Sequence, residues 1–108
     1  MTGTDRVGIV AIGRNEGERL QRCLRSALAE TPRVVYVDSG STDASVAFAR
    51  SVGVEVVELD TTVPFTAARA RNAGIARLVE RWPETAYLQV LDGDCEFAPG
   101  WIGAAAAY

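Results

Sequence analysis

Two carboxylates separated by one glycine follow an apolar run near the end of the chain. The run ends at Leu91, and Asp92-Gly93-Asp94 comes directly after it. Two like charges this close repel each other unless a cation or water offsets them. A hard divalent ion that also binds phosphate oxygens would do so. An Asp-Gly turn explains so short a motif equally well, and the neighbouring motifs must decide between a metal site and a turn.

The composition excludes several other kinds of chemistry. The chain has 108 residues, no histidine and no lysine, which removes Ser-His-Asp and Cys-His catalysis, His-ligated zinc and Schiff-base lysines. Proton transfer must therefore fall to carboxylates. The net charge of -3 argues against a general nucleic-acid binder, which needs a basic face.

The two cysteines and the hydropathy indicate a soluble protein with reduced thiols. Cys23 and Cys95 are not in a CxxC spacing, and Cys23 falls on the apolar side of a predicted helix, so we expect it in the core. No apolar run approaches the roughly 20 residues that span a bilayer. We expect a cytoplasmic location, with peripheral attachment to a membrane left open for a longer enzyme.

Four apolar runs of strand length alternate with three amphipathic stretches. The runs cover 7–12, 34–37, 54–59 and 86–91. The first helix buries Leu20, Cys23, Leu24, Ala27 and Leu28, the second runs to about Val52 with N-cap hydroxyls in 39–42, and the third has Thr66 as its cap and Ile75, Leu78, Val79 and Trp82 as its buried stripe. A short helical stretch is expected from Ile102 to Tyr108.

This order predicts one α/β domain with a parallel, doubly wound sheet and helices on both faces. Ligands of such sheets bind beyond the carboxyl ends of the strands. With the strand order 3-2-1-4, the polar segments 13–16, 38–41 and 92–94 converge in one crevice. A P-loop is rejected because Arg14-Asn15 replaces its Lys-Ser or Lys-Thr.

Four segments, in order and at similar spacing, resemble those of the family 2 glycosyltransferases. The segments are Val10-Ala11-Ile12-Gly13-Arg14-Asn15-Glu16, Val37-Asp38-Ser39-Gly40-Ser41-Thr42-Asp43, Ala70-Arg71-Asn72-Ala73-Gly74 and Leu91-Asp92-Gly93-Asp94. Gly13-Arg14 departs from the aromatic residue that is commoner before Asn-Glu. The resemblance implies a Rossmann-like GT-A nucleotide-sugar-binding half made of about four parallel strands, as a single domain over 1–108.

The resemblance also assigns roles at the ends of the first two strands. Asp38 would accept a hydrogen bond from the ring N–H of a base, a task that suits an acceptor-only group; its alternative role is an Asx-turn or helix cap. Ile12, Arg14 and Glu16 would line the base and ribose. Glu16 would equally favour the positive start of its helix.

The remaining assignments concern the diphosphate. Arg71 would contact the base or diphosphate, whereas Arg69 and Arg77 are expected to be solvated helix positions. Asp92 would hold the ribose or a metal-bound water, and both Asp92 and Asp94 are candidate ligands of Mn²⁺ or Mg²⁺. Cys95 is expected to be a packing residue.

The implied reaction is an inverting sugar transfer from a nucleoside diphosphate, with UDP-sugars favoured, to an unknown acceptor hydroxyl. In the family the catalytic base lies well downstream of the DxD element, so we expect it beyond Tyr108 and expect the chain to be the N-terminal part of a longer enzyme. Self-association through the sheet edge beside the fourth strand is a further hypothesis. Two alternatives stay open: a haloacid-dehalogenase-like phosphatase with Asp92 as nucleophile, and a non-catalytic nucleotide-binding module.

Overall fold

The computed structural model describes residues 6–93, and in this part of the chain strands and helices alternate. The elements are β1 (Val7–Gly13), α1 (Glu18–Glu30), β2 (Val34–Asp38), α2 (Ser45–Ser51), β3 (Glu55–Glu58), α3 (Ala67–Arg81) and β4 (Tyr87–Asp92). The predicted α/β alternation is therefore confirmed. The helical stretch expected over 102–108 lies outside the described residues.

The four strands form one parallel sheet in the order β3-β2-β1-β4, as predicted. The register fixes which residues share the carboxyl edge. Gly13 is paired with Asp38 across β1 and β2, and Ile12 is paired with Asp92 across β1 and β4. The ends of β2, β1 and β4 consequently lie side by side, which is the arrangement that a crevice at this edge requires.

The strand alternation separates the core into two layers. Ile9 and Ala11 point to the face covered by α1 and α2, where they pack with Leu20 and Leu24. Val10 points to the opposite face and packs under α3 with Leu78. Successive side chains of a strand lie on opposite faces, so the continuous apolar run of β1 is buried on both sides and holds the sheet between two helical layers.

The third helix approaches the sheet unusually closely at Gly74. A Cβ atom at this position would lie well inside van der Waals contact with Val10 Cγ1 and 2.8 Å from Val37 Cγ2. The buried face of α3 is formed by Ala70, Gly74 and Leu78, at a spacing of four residues. Small side chains on this face let the helix backbone lie almost on the strands.

One expectation about burial was wrong. Val79 was expected in the buried stripe of α3 but is 47% exposed, because the contact face is centred on Gly74 and Leu78 and turns Val79 away from the sheet. In β4, Tyr87 and Leu88 are 54% and 40% exposed, and β4 is an edge strand of the described sheet.

Among residues 6–93, no helix combines the length and the apolar character needed to cross a membrane.

Candidate functional site

Asn15 joins the loop after β1 to the loop after β2. Its backbone N–H donates to Ser41 Oγ at 2.9 Å, and its side-chain Oδ1 accepts from the N–H groups of Thr42 at 2.7 Å and Asp43 at 3.2 Å. Asn15 has a φ of 52°, a conformation that asparagine tolerates better than most residues. Asn15 lies in one of the family-like segments, but no contact was expected for it, because no sequence pattern links it to residues 41–43.

The Asp38 carboxylate holds the loop after β2 through hydrogen bonds. Asp38 is buried, with only 3% of its surface exposed. Oδ1 accepts from the hydroxyls of Tyr36 at 2.6 Å and Ser41 at 2.5 Å, and Oδ2 accepts from the N–H groups of Gly40 at 3.1 Å and Ser41 at 2.8 Å. A carboxylate offers about four acceptor positions, so these donors occupy them in the structure.

The cap of α2 differs from the expectation. The helix begins after Ala44, which makes no side-chain capping bond, and the predicted hydroxyls of 39–42 do not cap it. Asp43 Oδ1 instead accepts from the N–H of Ser45 at 2.9 Å. The hydroxyls are not free for capping because Asp38 and Asn15 hold this loop in place, with Ser41 and Thr42 as their partners.

Tyr36 lies beneath Asp38 and is completely buried. Burial raises the pKa of its hydroxyl well above the ordinary value, and the hydrogen bond donated to Asp38 raises it further. The neutral phenol is thus the form that the folded protein stabilises. The hydrogen bond from the neutral Tyr36 hydroxyl therefore holds the buried Asp38 carboxylate in place.

Replacing Tyr36 by phenylalanine is expected to flatten the loss of stability at high pH. The folded-state pKa is raised, so its stabilising contribution is complete below the unfolded pKa of about 10 and is lost as the pH rises above that value. The wild-type free energy of unfolding should fall by up to about 1.4 kcal/mol per pH unit more steeply than that of Tyr36→Phe. Urea titrations from pH 8 to 11 measure this difference. Tyr87→Phe, at an exposed tyrosine, is the control, and parallel curves for wild type and Tyr36→Phe would contradict the prediction.

The ends of β1 and β4 form a second corner of the site. The N–H of Gly93 donates to the carbonyl of Ile12 at 2.7 Å. A Cβ at Gly13 would lie 3.2 Å from Glu16 Cγ, and one at Gly93 would lie 3.5 Å from the same atom. The Glu16 side chain therefore lies against both glycines, close to the exposed Asp92.

Glu16 has a basic partner at this corner. Its Oε2 forms an ion pair with the guanidinium of Arg19 at 3.2 Å. Cys23 is buried as expected, with its Sγ 3.9 Å from the carbonyl oxygen of Asp92. Ile12 is partly buried and packs with the α3 layer.

The donor set at this corner suits a hard cation only in part. Carboxylate oxygens such as those of Asp92 are ligands that Mg²⁺ and Mn²⁺ prefer. Residues 6–93 contain no group of three or more acidic, cysteine or histidine side chains that could hold a metal ion. Asp94 and Cys95 lie outside the described residues. Asp92 can thus supply one ligand, and oxygens from elsewhere would have to complete the coordination.

A cavity of about 400 Å³ opens beside these loops. It is lined by Arg14, Ser39, Gly40, Leu59, Asp60, Thr61, Val63, Pro64, Phe65 and Arg69. The lining combines Arg14, Arg69 and the acidic Asp60 with the apolar residues Val63 and Phe65, which are 45% and 55% exposed. A cavity with apolar and polar lining residues suits a flat, partly apolar ring that carries polar groups.

Arg69 and Arg77 were expected to be solvated helix positions; both are partly exposed, but each also bonds to a neighbouring segment. Arg69 donates to the carbonyl of Asp60 at 2.8 Å and to two further carbonyls of the same segment. Arg77 donates to Glu55 Oε1 at 3.1 Å and to the carbonyl of Val56 at 3.3 Å. Helical periodicity shows that both arginines point away from the core, but it cannot show which neighbouring segment they meet.

Of the other expected residues, Thr66 has the predicted contact, Arg14 lines the cavity and Arg71 does not. Thr66 caps α3 as predicted, since its Oγ1 accepts from the N–H of Arg69 at 3.0 Å. Arg71 is exposed and is not among the residues that line the cavity. Arg14 is exposed and does line it.

Comparison with known proteins gives a family. Residues 9–108 match the family model described as glycosyl transferase family 2. The chain is also similar to a TPR repeat-containing protein of Synechococcus elongatus, with 34% identity over 90 residues. That alignment covers 83% of this chain but 21% of the relative, so the chain spans about a fifth of the length of that relative.

Proposed function

Because the chain belongs to glycosyl transferase family 2, we propose that it binds a nucleoside diphosphate sugar at the carboxyl ends of β1, β2 and β4. In the proposed reaction the acceptor hydroxyl oxygen bonds to the anomeric carbon with inversion, the nucleoside diphosphate leaves, and a carboxylate base takes the hydroxyl proton. The observation that carries the proposal is the bridge made by Asn15 between the first two loops, next to a cavity of suitable size and lining.

The base and ribose lie against the first two loops in this proposal. Arg14 and Ser39 line the cavity, and Ile12 and Glu16, which do not line it, are proposed to meet the ribose from the side of β4. A ring N–H can donate to Asp38 Oδ1 only if the Ser41 hydroxyl turns away, because that oxygen already accepts two hydroxyls. A uracil ring, with one N–H flanked by two carbonyls, suits this exchange, since the released Ser41 hydroxyl could donate to a neighbouring carbonyl.

The diphosphate is proposed to extend from the cavity toward Asp92. Arg71 is exposed on α3, where its guanidinium can pair with a phosphate in a bidentate way. Asp92 and Asp94 would hold Mn²⁺ or Mg²⁺, and such an ion, when bound, offsets the charge of the departing nucleoside diphosphate. Gly93 is buried, and a Cβ there would lie 3.3 Å from both the Ile12 carbonyl oxygen and Leu20 Cδ1, so the glycine lets the backbone between the two carboxylates pack on the end of β1.

The phosphatase alternative is not favoured. Haloacid-dehalogenase-like enzymes carry their nucleophilic aspartate on an early strand, whereas Asp92 ends β4, and the family match is to glycosyl transferases. Trapping of Asp92 by beryllofluoride would reverse this preference.

A second copy of the chain could associate at the exposed edge of β4, and light scattering at high concentration tests that part of the proposal.

Calorimetric titration with nucleoside diphosphates, with and without Mn²⁺, tests the donor and metal assignments. We expect UDP to bind in the presence of Mn²⁺ and to bind at least about tenfold more weakly to Asp92→Asn and Asp94→Asn, a difference of about 1.4 kcal/mol. Glu84→Gln is the matched control, because Glu84 precedes β4 at the opposite end of the sheet. Absence of binding by every nucleoside diphosphate would overturn the donor proposal. Tight binding that changes neither on removal of Mn²⁺ nor in Asp92→Asn and Asp94→Asn would overturn the metal site.

A further inference from the structure

We infer that Arg69 is a positioning residue for nucleotide binding, which acts by fixing one wall of the cavity. The wall is the segment from Asp60 to Phe65, between β3 and α3, and its Val63 and Phe65 side chains border the cavity. The inference rests on the proposed function for its ligand. It extends that function by assigning a role to an arginine outside the four family-like segments.

The contacts of Arg69 hold this wall at three points. Nη2 donates to the carbonyl of Asp60 at 2.8 Å, and Nη1 donates to the carbonyls of Val63 at 3.3 Å and Pro64 at 3.4 Å. A guanidinium presents its donors in a rigid planar fork. One side chain therefore sets the spacing of three backbone groups along the wall.

The wall has few other restraints in the described structure. It contains no helix or strand, and its internal bonds are those from Thr62 to Asp60 Oδ1 at 2.9 and 2.6 Å and a long one from Val63 N–H to the Asp60 carbonyl at 3.5 Å. The start of α3 is better fixed, by the Thr66 cap and the buried Ala70, and Gly74 packs closely on the sheet one turn further along. Arg69 thus connects a weakly restrained wall to a rigid helix.

The wall has the chemistry to select a planar ring. Val63 and Phe65 stand 45% and 55% exposed, on either side of Pro64, and all three line the cavity. An aromatic face that is correctly placed stacks on a nucleobase, with a gain in affinity. Misplacement of Phe65 would remove this gain without altering any group that contacts phosphate.

Arg69→Met and Arg69→Lys test the inference by calorimetry with UDP and Mn²⁺. We expect about tenfold weaker binding for methionine and an intermediate loss for lysine, which can reach one or two of the three carbonyls. Arg77→Met is the matched control on the same helix, because Arg77 also donates to a backbone carbonyl of the neighbouring strand but does not line the cavity. Equal effects of Arg69→Met and Arg77→Met would overturn the inference.

A double-mutant cycle with Phe65→Ala separates positioning from direct contact. If Arg69 acts through the wall, Arg69→Met should weaken binding little further once Phe65 is already alanine, so the two effects should be clearly less than additive. Full additivity would show that Arg69 meets the ligand itself and would overturn the positioning role.

Hydrogen exchange of the unliganded chain distinguishes failure of this inference from failure of the proposed function. Arg69→Met should accelerate exchange in residues 60–66 and leave α1 and β2 unchanged, whereas Arg77→Met should not affect 60–66. If wild type binds no nucleoside diphosphate, the proposed function fails and nucleotide positioning by Arg69 fails with it. If wild type binds UDP but 60–66 exchanges equally in both variants, only the inference fails.

Discussion

Replacing Asp38 by alanine is expected to lower the free energy of unfolding by about 3 kcal/mol and to abolish UDP binding. The substitution leaves the N–H groups of Gly40 and Ser41 and the buried hydroxyl of Tyr36 without their acceptor. Each buried donor left unpaired costs about 1–3 kcal/mol. Urea unfolding followed by circular dichroism measures the change, and calorimetry with UDP and Mn²⁺ measures the loss of binding.

Two variants show whether the effect belongs to the buried carboxylate. Asp43→Ala removes an exposed aspartate of the same loop that accepts one backbone N–H, and we expect a loss of about 1 kcal/mol. Asp38→Asn keeps one acceptor oxygen for the two N–H groups and lets the hydroxyls accept from its amide, so we expect it to fold with a smaller loss. Equal losses for Asp38→Ala and Asp43→Ala would contradict the central role of Asp38.

Asp38→Asn also separates the two roles proposed for this residue. If Asp38 only orders its loop, the asparagine variant should bind UDP almost as well as wild type does. If Oδ1 accepts the ring N–H of the base, the amide that faces this position offers a donor instead, and affinity should fall by at least about tenfold.

The fold was predictable from the sequence because its signals are local. The apolar run of β1 and the stripe from Leu20 to Ala27 each repeat with the period of their own element. Because parallel strands run in the same direction, the polar segments after β1, β2 and β4 lie at the same edge of the sheet. The expected strand order 3-2-1-4 is the one found, and it is the order in which these three polar segments converge.

The contacts of the site were less predictable because they join segments far apart in the chain. Asn15 meets Thr42 across 27 residues, and no periodicity links the two. Arg69 meets the carbonyl of Asp60 within a loop whose path has no repeat. Side-chain spacing shows which face a residue occupies, but only the tertiary structure shows which loop lies opposite that face.

The largest effect on packing is expected from a side chain added at Gly74. Alanine there should lower the free energy of unfolding by about 2 kcal/mol, and valine should lower it by more than about 3 kcal/mol. The reason is the position of the new Cβ, 2.8 Å from Val37 Cγ2 and closer still to Val10 Cγ1. Because β-branched Val10 and Val37 are stiff at χ1 and fully buried, the helix must move away from the sheet.

The sign of this prediction is informative because helix propensity acts in the opposite direction. Alanine is favoured over glycine by about 1 kcal/mol inside a helix, and Ala76→Gly, at an exposed position of α3, measures that contribution in this protein. Gly8→Ala should cost less than Gly74→Ala, since the nearest contacts of its Cβ would be with the Leu78 side chain, which is less stiff than the β-branched Val10 and Val37. A gain of stability in Gly74→Ala would show that α3 lies further from the sheet. A loss should also weaken UDP binding, because displacement of α3 carries Arg69 and the wall that it holds away from the cavity.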